Sequence, residues 1–285
     1  MALNTKTFLT RLGSAIIFSA LMLYAFLSNE WVFISLFFII NLICLFEYVR
    51  IIEKIINTSF SKNEKKNFYI FGSSLYLLTC SLKIGRCENF TNDLFNHFFY
   101  YFLGIMIGSG ILFFIFKRSK KSLYILTGLG YITIAFALFT QLRYQSILYP
   151  IIILLFIWMN DSLAYLTGSF FGKRKFFPSI SPNKTIEGTL GGIFFTMAFA
   201  IIWGYFTDYF PLWQWISLGL ITSIVGTIGD LIESKLKRLS NIKDSGNIMP
   251  GHGGALDRFD SLIFVAPFAF LFGILFLQCI EMKIF

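Results

Sequence analysis

Charge is what this chain has least of. Asp, Glu, Lys and Arg make up 14% of its 285 residues, where an average soluble domain carries about a quarter. With 56% hydrophobic residues, 19% aromatic residues and a mean hydropathy of +0.71, too little polar surface remains to cover a water-exposed particle of this size. A soluble globule is therefore excluded. Cysteine is scarce as well. Cys44, Cys80, Cys87 and Cys279 show no CxxC spacing, and three of them fall in apolar runs, so neither a zinc site nor a disulfide framework is supported. The chain has no GxxxxGK[ST], no GxGxxG and no HExxH, which removes P-loop, Rossmann and zincin chemistry. It shows no internal repeat.

What is present is apolar run after apolar run. Stretches long enough to cross a bilayer, about 17 to 25 helical residues, lie near 12-28, 31-46, 68-82, 98-116, 122-139, 147-166, 188-206, 212-229 and 261-280. The expectation is an all-α, polytopic integral membrane protein with about nine transmembrane helices. The formal charge of +9 is informative through its placement. A cytoplasmic N-terminus puts 20 of the 24 basic residues on inner segments and leaves only Lys83, Arg86, Arg143 and Lys283 outside, in line with the positive-inside bias. The first span has no clear small-residue cleavage site before Asn29 and is expected to stay uncleaved. This basic excess belongs to membrane topology, and no nucleic-acid partner is expected.

The two halves differ. Residues 1-145 read as support, packing and lipid-access helices, with Gly104 and Gly108 at the GxxxG spacing that lets helices approach in lipid. Residues 146-285 hold the chemistry. Asp161 sits within the sixth apolar run beside Asn160, and a carboxylate there costs at least about 2.5 kcal/mol at mid-membrane. It either lines a wet cavity or serves as a structural hydrogen-bond partner.

The loop after it runs through Gly172, Lys173, Arg174 and Lys175 to Ser181, Asn183, Lys184, Thr185, Glu187 and Gly188. It reads as an anion cradle, in which Ser181 or Asn183 caps a helix, Lys184 supplies charge and the glycines let a phosphate approach the backbone. Glu187 fits a capping box or a partner for Lys184 instead. The bland alternative is a capped, basic loop.

The densest stretch is 229-260. Asp230 and Glu233, and again Asp257 and Asp260, stand at i and i+3, so each pair can point two carboxylates to one place. The eighth span ends at Asp230 and the ninth begins just after Asp260, which brings the pairs to one depth near Lys184. Carboxylates clustered with few His or Cys residues select a hard cation such as Mg²⁺, which binds through one or two carboxylates and substrate phosphates. Lys237, Arg238, Lys243 and Arg258 suit a polyphosphate, and His252, in a glycine turn, can bind phosphate or transfer a proton. The structural alternative is a Glu233-Lys237 pair and an interfacial ion-pair cluster of Asp257, Arg258 and Asp260.

At these residues the chain resembles the phosphatidate cytidylyltransferase, or CDP-diacylglycerol synthase, family. Its signature reads in register from Ser234 through Lys237, Arg238, Lys243, Asp244, His252, Gly253, Gly254, Asp257 and Arg258 to Asp260, with Met249 and Ala255 as mild departures. The Asn160-Asp161 to Tyr165 run and the Ser181 to Gly188 stretch are similar too, so the resemblance covers about residues 158 to 280. It implies condensation of CTP with phosphatidic acid to CDP-diacylglycerol and pyrophosphate, with divalent metal, help from K⁺, and a homodimer. Physically, such a reaction is in-line attack on the α-phosphate, helped by positioning and charge neutralisation.

In that reading Asp230, Glu233, Asp257 and Asp260 hold Mg²⁺, Lys237 and Arg258 act at the phosphates with Lys184, Arg238 and Lys243, and Asn160 and Asp161 line the lipid headgroup cavity. Ser181, Asn183, Glu187, Ser234, Asp244, His252, Gly253 and Gly254 complete the substrate site. The site faces the cytoplasm of a plasma, or inner, membrane. Two rivals are a CTP-dependent polyprenol kinase, which would release CDP, and a secondary transporter coupled through Asp161.

Overall fold

The computed structural model describes residues 5–82, 120–207, 209–249 and 253–276. The expected span 98-116, the Gly104 and Gly108 pair and His252 lie outside them. The chain runs through α1 (Thr5–Leu27), α2 (Glu30–Ile56) and α3 (Lys62–Ser81). In α4, α-helical stretches Lys120–Gly128 and Ala135–Gln145 flank a π-helical turn, Leu129–Ile134. Next come α5 (Leu148–Phe171), a hairpin of β1 (Lys175–Phe177) and β2 (Ser181–Thr185), α6 (Ile186–Phe206), α7 (Leu212–Leu239) and α8 (Leu256–Phe276).

Among the described residues, six helices are long and apolar enough to cross a membrane: Glu30–Ile56, Leu123–Gln145, Leu148–Phe171, Ile186–Phe206, Leu212–Leu239 and Leu256–Phe276. A shorter apolar helix, Gly13–Leu27, adds to them. The architecture is that of a multi-pass, helical membrane protein. The expected span 68-82 proves to be the end of α3, which starts on charged residues behind a capping box of Ser61 and Glu64 and is less apolar.

Helices also outrun the hydropathy windows. α2 continues past residue 46 to a left-handed Asn57 (φ 51°), α7 continues past 229 to Leu239, and α8 begins at Leu256, before 261. Hydropathy stops at the first charge, whereas helical hydrogen bonding stops only where capping or chain geometry ends it.

Phenylalanines knit the two halves together. Phe259 of α8 is 2% exposed and lies 5.8 Å from Phe18, 6.2 Å from Phe37 and 5.6 Å from Phe136, ring centre to ring centre, so it is seated among α1, α2 and α4. Such edge contacts add about 0.5–1.5 kcal/mol each beyond area burial. Seating Phe259 there turns Asp257 and Asp260 toward the other side of α8.

The hairpin is a small addition to a helical fold that agrees with the all-α expectation. It is a small antiparallel pair, Lys175 opposite Thr185 and Phe177 opposite Ser181, with an irregularity between. It leaves Thr185, not Ser181 or Asn183, as the cap of α6: the Thr185 hydroxyl accepts from the Gly188 N–H at 3.1 Å. The glycines that begin α6 serve close packing. A Cβ on Gly188 would lie 2.7 Å from the Ala164 carbonyl oxygen, and one on Gly192 would lie 2.8 Å from that of Asn160. α5 fills that space.

Because a backbone carbonyl cannot swing aside, Gly188→Val should separate α5 from α6 and cost about 1–3 kcal/mol. Thermal unfolding in detergent checks this; an unchanged midpoint would contradict the packing role.

Candidate active site

α5, α6, α7 and α8 enclose a cavity of about 380 Å³. Among the residues lining it are Asn160, Asp161, Lys184, Asp230, Lys237, Asp244, Asp257, Arg258 and Asp260, together with Tyr165, Thr189 and Thr227. Nine of the expected site residues thus share one space, drawn from three separate stretches of sequence. Close helix packing brings them to one level. A Cβ on Gly229 would lie 2.7 Å from the Asp260 carbonyl oxygen, so α7 and α8 touch through backbone beside Asp230.

The i, i+3 carboxylate pairs do not act as pairs. Each splits between two clusters. In one, Asp161, Asp230 and Asp260 stand near enough to repel one another when ionised, Lys184 forms an ion pair with Asp230, and Arg258 offsets part of the charge at Asp161. The Ser234 hydroxyl donates to Asp230 Oδ1 at 3.2 Å from one turn further along α7. Asn160 is 2% exposed and donates to the Thr227 hydroxyl at 3.4 Å, which ties α5 to α7 beside this cluster.

In the other cluster Lys237 bridges the remaining two. Its Nζ lies 2.5 Å from Glu233 Oε2 and 2.6 Å from Asp257 Oδ1. Glu233 is fully buried and does not line the cavity. Asp257 Oδ2 accepts from the Ser245 N–H at 2.9 Å and the Gly254 N–H at 2.8 Å, and at 3.0 Å it shares the single Ser245 hydroxyl proton with Glu47. Two of the four expected metal ligands, Glu233 and Asp257, are therefore committed to Lys237. Among the described residues no three His, Cys, Asp or Glu side chains are placed to cage an ion by themselves.

Other expected residues stand outside the cavity. Ser181 and Asn183 lie on β2. Glu187 neither boxes its helix nor holds Lys184. It accepts from the Lys173 and Arg174 N–H groups and from Arg174 Nε, each at 3.1 Å, and so closes the base of the hairpin. Arg238 donates to the Ile180 carbonyl at 3.2 Å and the Ile242 carbonyl at 3.3 Å, pinning the hairpin to the end of α7. Lys243 is exposed on the turn that follows.

Gly253 and Gly254 have a packing purpose. Gly253 has φ +90°, a conformation that L side chains rarely adopt, and its Cβ would lie 2.5 Å from Asp257 Oδ2. A Cβ on Gly254 would run into the Ser245 hydroxyl and the carboxylate of Glu47. Glu47, on α2, is the residue that sequence reasoning missed. It is 1% exposed and accepts from the Ala255 N–H at 3.0 Å, the Leu256 N–H at 2.8 Å and the Ser245 hydroxyl at 2.7 Å. Its one signal was a lone carboxylate following an apolar run, just past residue 46.

Removing the cation from a buried pair leaves carboxylates without compensation, at about 3–5 kcal/mol. Lys237→Met should therefore lower unfolding stability by roughly that amount, whereas Arg238→Ala should cost about 1 kcal/mol for its carbonyl contacts. Denaturation of both variants in one detergent tests the difference; equal losses would contradict the central place given to Lys237.

The family model described as the cytidylyltransferase family matches residues 9–276. A phosphatidate cytidylyltransferase of Staphylococcus aureus (strain COL) is 46% identical over 155 residues, covering 54% of this chain and 58% of the relative. Those of Staphylococcus haemolyticus (strain JCSC1435) and Staphylococcus epidermidis (strain ATCC 12228 / FDA PCI 1200) are 43% and 42% identical over 154 residues, with the same coverage. The chain thus matches under two thirds of the length of these relatives. The family match, by contrast, takes in both halves of the chain and every residue of the cavity, and the chain belongs to the cytidylyltransferase family.

Proposed function

We propose that the protein is a phosphatidate cytidylyltransferase, joining CTP to phosphatidic acid with release of pyrophosphate in phospholipid biosynthesis. The observation that carries this reading is the charged cavity set among membrane helices. It offers cations for phosphates at the level where a lipid headgroup can enter while its acyl chains stay in the bilayer.

The balance of charge around the cavity supports a divalent cation. Asp161, Asp230, Asp244, Asp257 and Asp260 are faced by Lys184, Lys237 and Arg258, so five carboxylates meet three cations. A triphosphate would add to that excess. The donors are all hard oxygens, and Mg²⁺ commonly binds one or two carboxylates and completes its shell with water and phosphate, so the lack of a full cage among the described residues fits. Asp230 and Asp260 would hold it, with Asp161 beside them. When bound, Mg²⁺ supplies charge neutralisation on the phosphates and a template for in-line displacement. K⁺ as a second cation belongs to the same proposal.

The residues of the chain do the rest. Lys184 and Arg258 receive the phosphates of the two substrates and hold the lipid phosphate oxygen in line with the α-phosphorus. Lys237, fixed by Glu233 and Asp257, presents its charge to the triphosphate without reorganising. The lipid oxygen forms a bond to the α-phosphorus as the bond to pyrophosphate breaks, and no protein nucleophile takes part. Asn160 fixes the wall of the cavity near Asp161. The proposal places the N-terminus and the site on the cytoplasmic side of the plasma membrane, with nine spans and a homodimer.

The test is pyrophosphate release from CTP by the purified protein in detergent. Release should require phosphatidic acid, stop when metal is chelated, and fall about 10²-fold or more in Asp260→Asn. Release of CDP onto another lipid would make the protein a lipid kinase. Metal-independent ion-coupled transport lost in Asp161→Asn would make it a transporter.

A further inference from the structure

We propose that Glu47 is a positioning residue of the site, holding the turn before α8 in the shape that places Asp257 and, through it, Lys237. The inference deepens the cytidylyltransferase reading and rests on it.

A helix begins with N–H groups that have no partner inside the helix, and their dipoles favour a negative charge. At α8 the cap does not come from the residue before the helix. It comes from Glu47, 208 and 209 positions earlier, which accepts from the Ala255 and Leu256 N–H groups. The backbone around it is shaped for a carboxylate. Cβ atoms on Gly246 and Gly254 would both run into Glu47. Gly246 and Gly254 thus make room for a side chain from the other half of the protein.

Ser245 joins this cap to the cavity. Its hydroxyl lies 2.7 Å from Glu47 Oε2 and 3.0 Å from Asp257 Oδ2, and its N–H donates to Asp257 at 2.9 Å. A continuous buried path therefore runs from Glu47 through Ser245 and Asp257 to Lys237. Losing the Glu47 carboxylate frees the turn, and freeing the turn loosens Ser245 and Gly254, which supply the three donors that fix Asp257 Oδ2. Glu47 itself does not line the cavity, so its effect reaches the reaction only through placement.

Glu47→Gln keeps the volume but replaces one acceptor by an N–H₂ group that faces other donors. Misplacement on the scale of 1 Å can cost about 10²-fold in rate. The test measures kcat and the KM values of CTP and phosphatidic acid for Glu47→Gln, Glu47→Asp, Ser245→Ala and the Glu47→Gln/Ser245→Ala double variant, with hydrogen exchange at Ala255 and Leu256. Expected are a kcat down by about 10²-fold in Glu47→Gln, an unchanged KM for phosphatidic acid, faster exchange at both amides, and partial recovery in Glu47→Asp. The double variant should lose no more than Glu47→Gln alone, because both substitutions cut one path.

A folded Glu47→Gln protein with the wild-type kcat, or additive losses in the double variant, would overturn the inference while leaving the enzyme reading intact. If Glu47→Gln fails to fold, Ser245→Ala and Glu47→Asp decide it by the same two readouts. A wild-type protein that releases no pyrophosphate overturns the enzyme reading itself, and unchanged exchange in the variants then removes the structural part of the inference as well.

Discussion

Lys237 stands between two carboxylates, and the arrangement of the site depends on that bridge. Glu233, fully buried, would be intolerable without a cation at 2.5 Å, and Asp257 would repel it across the α7 and α8 contact. With Lys237 in place, two negative groups at the ends of neighbouring helices become a joint. The joint ties the start of α8 to the last turns of α7. The close backbone approach at Gly229 then becomes possible, and the cavity takes its shape from it.

A division of labour follows between the two carboxylate clusters. The Glu233, Lys237 and Asp257 group is closed by its own contacts, with Asp257 saturated by backbone and hydroxyl donors. The Asp161, Asp230 and Asp260 group is under-compensated, since Lys184 and Arg258 are its nearby cations. One cluster is closed by contacts within the protein, and the other turns its excess negative charge to the cavity. In a setting of low dielectric, that excess is what would draw in a cation.

Much of this was legible in the sequence, because charge in an apolar chain is rare enough to be read residue by residue. Asp161, Lys184, Asp230, Asp257, Arg258 and Asp260 meet as their spacing and topology suggested. The partition of the carboxylates was not legible, since i, i+3 spacing gives a shared helix face but not the neighbour each side chain meets. The hairpin escaped notice because strands of three and five residues carry too little periodicity, and its Pro and Ser residues read as loop. With the hairpin unseen, Glu187 was read as boxing its helix or holding Lys184, and Thr185 was passed over as a cap. Glu47 was hidden for a different reason: no local pattern links it to a turn some 200 residues away. Only packing reveals that pairing.

That long reach from α2 to the start of α8 sets an order of assembly. A ribosome releases α2 well before α8, so the glycine turn emerges after the carboxylate that caps it. Until α8 docks, the Glu47 carboxylate lacks its Ala255 and Leu256 partners, and docking supplies them. A later helix thus receives its finishing contact from an earlier one, which couples closure of the candidate pocket to the docking of α8.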